Sequence, residues 1–274
     1  MTTDPQPPRT QLPVEEREWN HVDWDVSGTG VLALTMNRPE RLHALNFRML
    51  HELLELIEDA RNKPEIRVIT IRGDGTRSFC SGDDLKGMEP GPGDSSSTVH
   101  HQLLLTIREI PKPVVALVCG WALGHGWELA NACDMRLCAD NIEVGDHRVT
   151  RSIGLNGGTS WFVPRIVGLG RALELLMTGR HLKAEEALAW GWANRVWPLE
   201  EFDECANEYV DTLAALPTVA ASAFKAAIEF SSAHSLRDSL ANELVMSSRT
   251  RGTEDADEGR RSFHEKRTPV FKGR

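Results

Sequence analysis

Twice in this chain an apolar run of strand character, Val68 to Ile71 and Val114 to Val118, is followed by a glycine-containing turn that leads toward a helix. The turns read Phe79-Cys80-Ser81-Gly82-Asp83-Asp84-Leu85 and Gly120-Trp121-Ala122-Leu123-Gly124-His125-Gly126-Trp127-Glu128. Strand, helix and strand in repeated succession make crossover units, so the pattern predicts an α/β chain with mainly parallel pairing and helices outside the sheet. The turns also carry chemistry. The first amides of a helix lack intrahelical partners and sit at the positive end of its dipole, where they stabilise an anion or a developing oxyanion. Glu128 adds a carboxylate beside them for acid/base work. Read singly, each is also an ordinary tight turn, because a lone glycine motif is a weak signal.

Around these turns the elements follow from period and punctuation. Val22 to Val26 and Val31 to Met36 flank Ser27-Gly28-Thr29-Gly30 as a strand hairpin. Leu50, Leu53, Leu54 and Ile57 recur at helical spacing between Phe47 and Asn62, and Pro64 ends that segment. Arg67 to Arg72 reads as the next strand, and Gly87 to Ser97, rich in Pro, Gly and Ser, as a mobile loop placed to gate the first turn. A helix over Thr98 to Glu109, a strand over Val114 to Cys119, a short buried helix over Trp127 to Cys133, and strands at Met135 to Cys138 and Arg195 to Trp197 follow. Beyond Arg171 the pattern is almost wholly helical. The expected organisation is a mobile tail over residues 1–18, a core over 19–198 and a C-terminal helical region over 199–274.

Composition narrows the partners. At 274 residues with a net charge of −9, the chain lacks a broad electrostatic grip on nucleic acid or an anionic membrane, although a local basic patch can still hold a phosphorylated small ligand. The five cysteines, Cys80, Cys119, Cys133, Cys138 and Cys205, are odd in number and unpaired in spacing, so they read as reduced thiols. The N-terminal stretch has neither the apolar core of a secretory signal nor the character of a transit peptide, and no apolar run reaches membrane-spanning length. A cytoplasmic protein is expected. Sequence spacing shows no Walker motif, no GxGxxG, no metal-ligand cluster and no nucleophile elbow.

Further strings join the two turns in a fixed order: Asn37-Arg38-Pro39-Glu40, Ala44-Leu45-Asn46, Ala130-Asn131-Ala132-Cys133-Asp134, Gly157-Gly158-Thr159, Val163-Pro164-Arg165-Ile166-Val167-Gly168, Thr178-Gly179-Arg180, Gly191-Trp192-Ala193-Asn194-Arg195-Val196, and Glu258-Gly259 with Phe263-His264-Glu265-Lys266-Arg267. In this order and spacing the chain resembles the enoyl-CoA hydratase/isomerase (crotonase) family over nearly its whole length. The resemblance implies a crotonase-like spiral of ββα units followed by a C-terminal helical trimerisation region. It implies an acyl-CoA substrate, no cofactor beyond the coenzyme A of that substrate, no metal, and a homotrimer or dimer of trimers. The alternatives are a thioester hydrolase, a carbon–carbon bond-cleaving relative, and a catalytically silent binding or RNA-associated relative.

Carried over residue by residue, the resemblance makes the N–H groups of Asp83 and His125, next to Gly82 and Gly124, the donors to a thioester oxyanion. Losing one such donor typically costs about 2.7–4 kcal/mol of transition-state stabilisation. Glu128 matches the first of two glutamates that handle protons and water. The second falls between Val144-Gly145 and Gly157-Gly158-Thr159, where a gap must be placed; the position holds His147, Arg148 or Thr150, and Asp146 is the nearby carboxylate. His147 is the candidate replacement, since an imidazole titrates near neutral pH. His125 stands where the family carries a small residue, and its ring either reacts or reshapes the pocket. The Asp83 carboxylate would repel an oxyanion unless it turns away or is protonated. Arg41, His43 and Ala44 match the stretch along the coenzyme, Asp84 and Leu85 complete the first turn, and Phe263 with Lys266 match the segment at the nucleotide end. Trp121, Trp127 and Trp161 suggest a bulky or aromatic acyl pocket.

Overall fold

The computed structural model describes residues 18–84 and 96–274. The hairpin strands β1 (Val22–Val26) and β2 (Val31–Met36) pair antiparallel, and Asn46 then opens helix α1 (Phe47–Ala60) by accepting the Met49 amide at 2.9 Å. The Glu52 carboxylate, on the buried side of α1, accepts the amides of Asn20, His21 and Val22 and so ties the start of β1 to the helix. Three ββ pairs come next: β3 (Val68–Gly73) with β4 (Ser78–Cys80), β5 (Val114–Val118) with β6 (Trp121–Leu123), and β7 (Met135–Ala139) with β8 (Glu143–Gly145). Helix α2 (Ser96–Glu109) separates the first two pairs and α3 (His125–Ala132) the last two.

The first strand of each pair enters one sheet and the second strand enters another, which is a spiral of ββα turns. The larger sheet has the order β1-β2-β3-β5-β7-β10, parallel except at β1, where β10 is Arg195–Trp197. The smaller has the order β4-β6-β8-β9, with β9 (His181–Lys183) antiparallel to β8. None of the smaller sheet's strands was predicted. Each is three residues long, too short for a period to register, and the apolar runs therefore reach the two turns through an intervening strand.

Parallel strands are buried on both faces, and β5 shows it with all five residues inside. Val114, Ala116 and Val118 face the main core with Leu34, Ile69, Phe79 and Trp127, while Val115 and Leu117 face the opposite side. There α7 (Phe202–Ala214) covers the sheet with Phe202, Ala206, Val210 and Ala214. Between the strands lie α4 (Thr159–Val167), α5 (Leu169–Thr178) and α6 (Ala184–Ala189), of which α4 was not anticipated. The chain ends in α8 (Thr218–Ser231), α9 (Leu236–Thr250) and α10 (Glu254–Glu265). Most of the expected mobile tail, the gating loop up to residue 95, and Leu85 lie outside the described residues. All five cysteines are free thiols, and among the described residues no single helix is long and apolar enough to cross a membrane.

Candidate active site

The two glycine turns meet. Leu45 donates its amide to the Gly82 carbonyl at 2.8 Å and accepts the Asp84 amide at 2.9 Å, so the first turn runs as a strand-like bridge beside Leu45. A carbon built on Gly82 would stand 3.8 Å from the His125 amide nitrogen, which fixes how closely the turns abut. At the second turn Gly124 has φ 51 and ψ −121, a conformation open to glycine and costly to a residue with Cβ. This bend lets α3 start at His125, two residues earlier than its apolar pattern indicates. Among the described residues neither the Asp83 nor the His125 amide donates a hydrogen bond, so two backbone donors stand free on adjoining turns.

Glu128 lies in the first turn of α3 with no solvent exposure. Its two oxygens differ. Oε1 accepts from Thr159 Oγ1 at 2.7 Å and Arg148 Nη2 at 2.5 Å, whereas Oε2 has no hydrogen-bond partner. Gly157, at φ +61, passes directly over that carboxyl, and any Cβ there would fall on it. Burial raises the Glu128 carboxyl above its ordinary value, against the opposing pull of His125, Arg148 and Thr159. The residue is therefore held in one place by Oε1 and left without a hydrogen-bond partner at Oε2.

The residue facing Glu128 where a second carboxylate was sought is Arg148, at the start of a 3-10 turn, Arg148–Arg151. Its guanidinium also holds Asp146, with Nε 2.9 Å from both carboxylate oxygens. Burial pushes the Asp146 carboxyl up, but the hydrogen bonds from Arg148 outweigh it and keep the group below its ordinary value. Arg148 in turn is held charged by the two carboxylates in spite of burial. Asp146 is thus locked in an ion pair. His147 stands apart from the cluster: its Nε2 is 2.8 Å from Arg151 and its ring packs against His181, with centroids 5.7 Å apart. Burial, then Arg151 and His181, lower its pKa. Thr150 bonds back to the His147 carbonyl.

His125 is drawn into the cluster. Its Nδ1 lies against the Asp83 carboxylate, which is turned toward the imidazole, and its Nε2 lies 3.5 Å from Glu128 Oε2. A third side chain, His100 from α2, completes the arrangement. It is fully buried, packs its ring tilted by 42° against His125 at a centroid distance of 4.2 Å, and puts Nδ1 3.8 Å from Glu128 Oε2. Burial, then the His125 ring, holds its pKa well below that of an ordinary imidazole. His100 was absent from the predicted site, yet it lies three, four and seven residues before Leu103, Leu104 and Ile107. That spacing marks the core face of α2. His100, His125 and Glu128 together place ligand-type atoms within 4.8 Å of one another, a cluster that linear spacing could not reveal.

The expected coenzyme residues divide. His43 is 1% exposed; its Nδ1 accepts the Arg38 amide at 3.1 Å and its Nε2 donates to the Asp74 carbonyl at 3.0 Å, so the ring braces the loop before the first turn. Arg38 bridges the Ala44 carbonyl and the Asp84 carboxylate, which ties both to the scaffold. Arg41 is exposed, as are Phe263 and Lys266 on and just after α10. A cavity of about 640 Å³ lies beyond Gly157 and Gly158, lined by Leu104, Leu105, Trp161, Phe162 and Phe230 among others. Trp127 is core and Trp121 sits at the surface, so of the three tryptophans Trp161 is the one that lines this space.

Comparison with known proteins gives the family. Residues 27–274 fit the Enoyl-CoA hydratase/isomerase family profile. The chain belongs to that family. It is 31% identical over 266 residues to the (E)-benzylidenesuccinyl-CoA hydratase of Thauera aromatica, spanning 96% of this chain and 100% of that protein. It is 34% identical over 250 residues to the carnitinyl-CoA dehydratase of Proteus mirabilis, spanning 89% and 95%. An enoyl-CoA hydratase structure from Bacillus anthracis superposes with a TM-score of 0.88 at 30% identity, covering 93% of this chain and 100% of that one. The fold is accordingly that of crotonase-type enzymes.

Proposed function

We propose that this enzyme acts on an acyl-CoA thioester by holding its carbonyl oxygen at the Asp83 and His125 amides while Glu128 moves a proton at the adjacent carbon. The observation that carries this reading is the asymmetric, buried Glu128 carboxyl, with Oε1 pinned and Oε2 without a hydrogen-bond partner. When Oε2 takes the α-proton, the C–H electron pair passes into the thioester as an enolate and the amides stabilise the resulting oxygen charge. Returning the proton to another carbon shifts a double bond. Hydration needs a second group to activate water, and we assign that role to His125 Nε2, 3.5 Å from Glu128 Oε2, since Arg148 only donates and Asp146 is locked. No cofactor enters these steps.

The cavity at Gly157–Gly158 suits a bulky apolar acyl group, and exposed Arg41 is the cation assigned to the coenzyme arm. Phe224, Ile228, Leu240 and Leu244 on α8 and α9 are more than half exposed, and we assign their cover to neighbouring copies in a trimer or dimer of trimers. Light scattering at micromolar concentration checks this, with a monomer as the contrary result. The chemical reading is tested by mixing the enzyme with a panel of straight-chain and aryl-substituted enoyl-CoAs and following loss of the conjugated thioester absorbance. Turnover favouring bulky members is expected; tight binding with no change in any thioester would overturn it.

A further inference from the structure

His100 has no part in the proton transfers above, yet it holds a buried imidazole with neither nitrogen hydrogen-bonded. A leucine at that position of α2 would pack without leaving two polar atoms unsatisfied. Glu128 Oε2, the oxygen it faces, lacks a hydrogen-bond partner too, and the Nε2 of His125 lies 3.5 Å from the same oxygen. The separations of 3.5 Å and 3.8 Å from Oε2 resemble those between ligands of one small cation. Bonds of about 2.0–2.2 Å in a tetrahedral zinc site place ligand atoms roughly 3.4 Å apart.

The surroundings fit such an ion. A ligating histidine ordinarily gives its other ring nitrogen to a carboxylate, and the Asp83 carboxylate lies beside His125 Nδ1. A ligating carboxylate is ordinarily oriented through its second oxygen, and Glu128 Oε1 is held by Thr159 and Arg148. The carboxylates of Asp83, Glu128 and Asp146 outnumber the single Arg148 guanidinium, so the cluster's fixed charge favours a divalent cation. Two imidazoles with one carboxylate suit Zn²⁺ or Co²⁺ rather than the oxygen-seeking Mg²⁺ or Ca²⁺.

We propose that His100, His125 and Glu128 form a binding site for a divalent transition-metal ion, and that this ion and turnover exclude one another. The ion occupies His125 Nε2 and Glu128 Oε2, the two atoms the proton transfers require. The exclusion rests on the proposed function; the binding does not.

The full-length enzyme, stripped with a chelator, is titrated with Zn²⁺ by calorimetry and with Co²⁺ by visible absorption, alongside His100→Asn and Glu128→Gln. One ion per chain is expected, with affinity lowered about tenfold or more in each variant. No stoichiometric binding, or equal affinity in variants that keep the native circular dichroism, overturns the site. A second readout needs no variant. In ¹⁵N-histidine spectra of the unaltered protein, Zn²⁺ should move the His100 and His125 signals, whereas perturbation confined to the His147–His181 pair assigns the ion elsewhere and overturns the proposal. Because both readouts are of binding, a protein that turns over no thioester leaves this result intact. If metal binds and turnover persists at saturation, the exclusion falls.

Discussion

The two walls that meet at the Glu128 carboxyl are built differently. On one side α3 begins at a glycine bend, and its regular backbone fixes the free His125 amide and Glu128 within four consecutive residues. On the other side a four-residue 3-10 turn delivers Arg148, whose place depends on side-chain ion pairs to Asp146 and Glu128. The donors of the first wall are backbone amides, which do not titrate, so it can tolerate unusual side chains such as His125. The second wall sets charge, and a single residue there decides whether Glu128 faces a proton carrier or a fixed cation. In the mechanism we propose, the backbone wall supplies the oxyanion donors, while the side-chain wall determines which proton steps can follow.

Removing the cation breaks the contrast most severely. Arg148→Met leaves the Asp146 and Glu128 carboxylates buried without their counter-charge, and urea unfolding should show a loss of about 3–5 kcal/mol. The same change withdraws a group that lowers the Glu128 pKa. If Glu128 acts as the base, kcat/KM falls as pH drops through its folded-state pKa, which in the unaltered enzyme lies above the ordinary 4.5. In Arg148→Met that acid limb should move to higher pH; a limb that stays or moves down would separate Arg148 from Glu128. Gly157→Ala perturbs the roof over both walls. It places a side chain at φ +61, at a cost of about 1–2 kcal/mol by thermal unfolding. It also displaces the carboxyl, which should slow turnover roughly 10²-fold. The smallest effect is expected from His147→Ala, within about 0.5 kcal/mol in stability and with kcat unchanged, because its ring lies against His181 and Arg151. A large fall in kcat there would restore His147 as a proton carrier.

The same contrast explains what could be read from the residues. Strands such as Val114–Val118 and helices such as Phe47–Ala60 carry long apolar patterns, and their bounds fall within a residue or two of expectation. The smaller sheet did not show, because strands like Ser78–Cys80 and Glu143–Gly145 are too short for alternation and depend on neighbours from other turns of the spiral. The free amides were legible since glycine bends mark them. Arg148 could not be chosen over His147 or Thr150, since register in a loop of uncertain length is fixed by ion pairs formed only on folding. His43 differs in the opposite way. The family resemblance set it along the coenzyme, whereas bonds to Arg38 and Asp74 turn the ring inward.

The central claim is that Glu128 Oε2 takes the proton from the carbon next to a thioester held by two backbone amides. It is tested most directly by incubating a saturated acyl-CoA with the enzyme in D₂O and following loss of its α-proton signal by ¹H NMR, with Glu128→Gln beside the unaltered protein. The account predicts catalysed exchange that drops by about 10²–10⁴ in the variant while the thioester still binds. Exchange that is absent from the unaltered enzyme, or equally fast in Glu128→Gln, would contradict it.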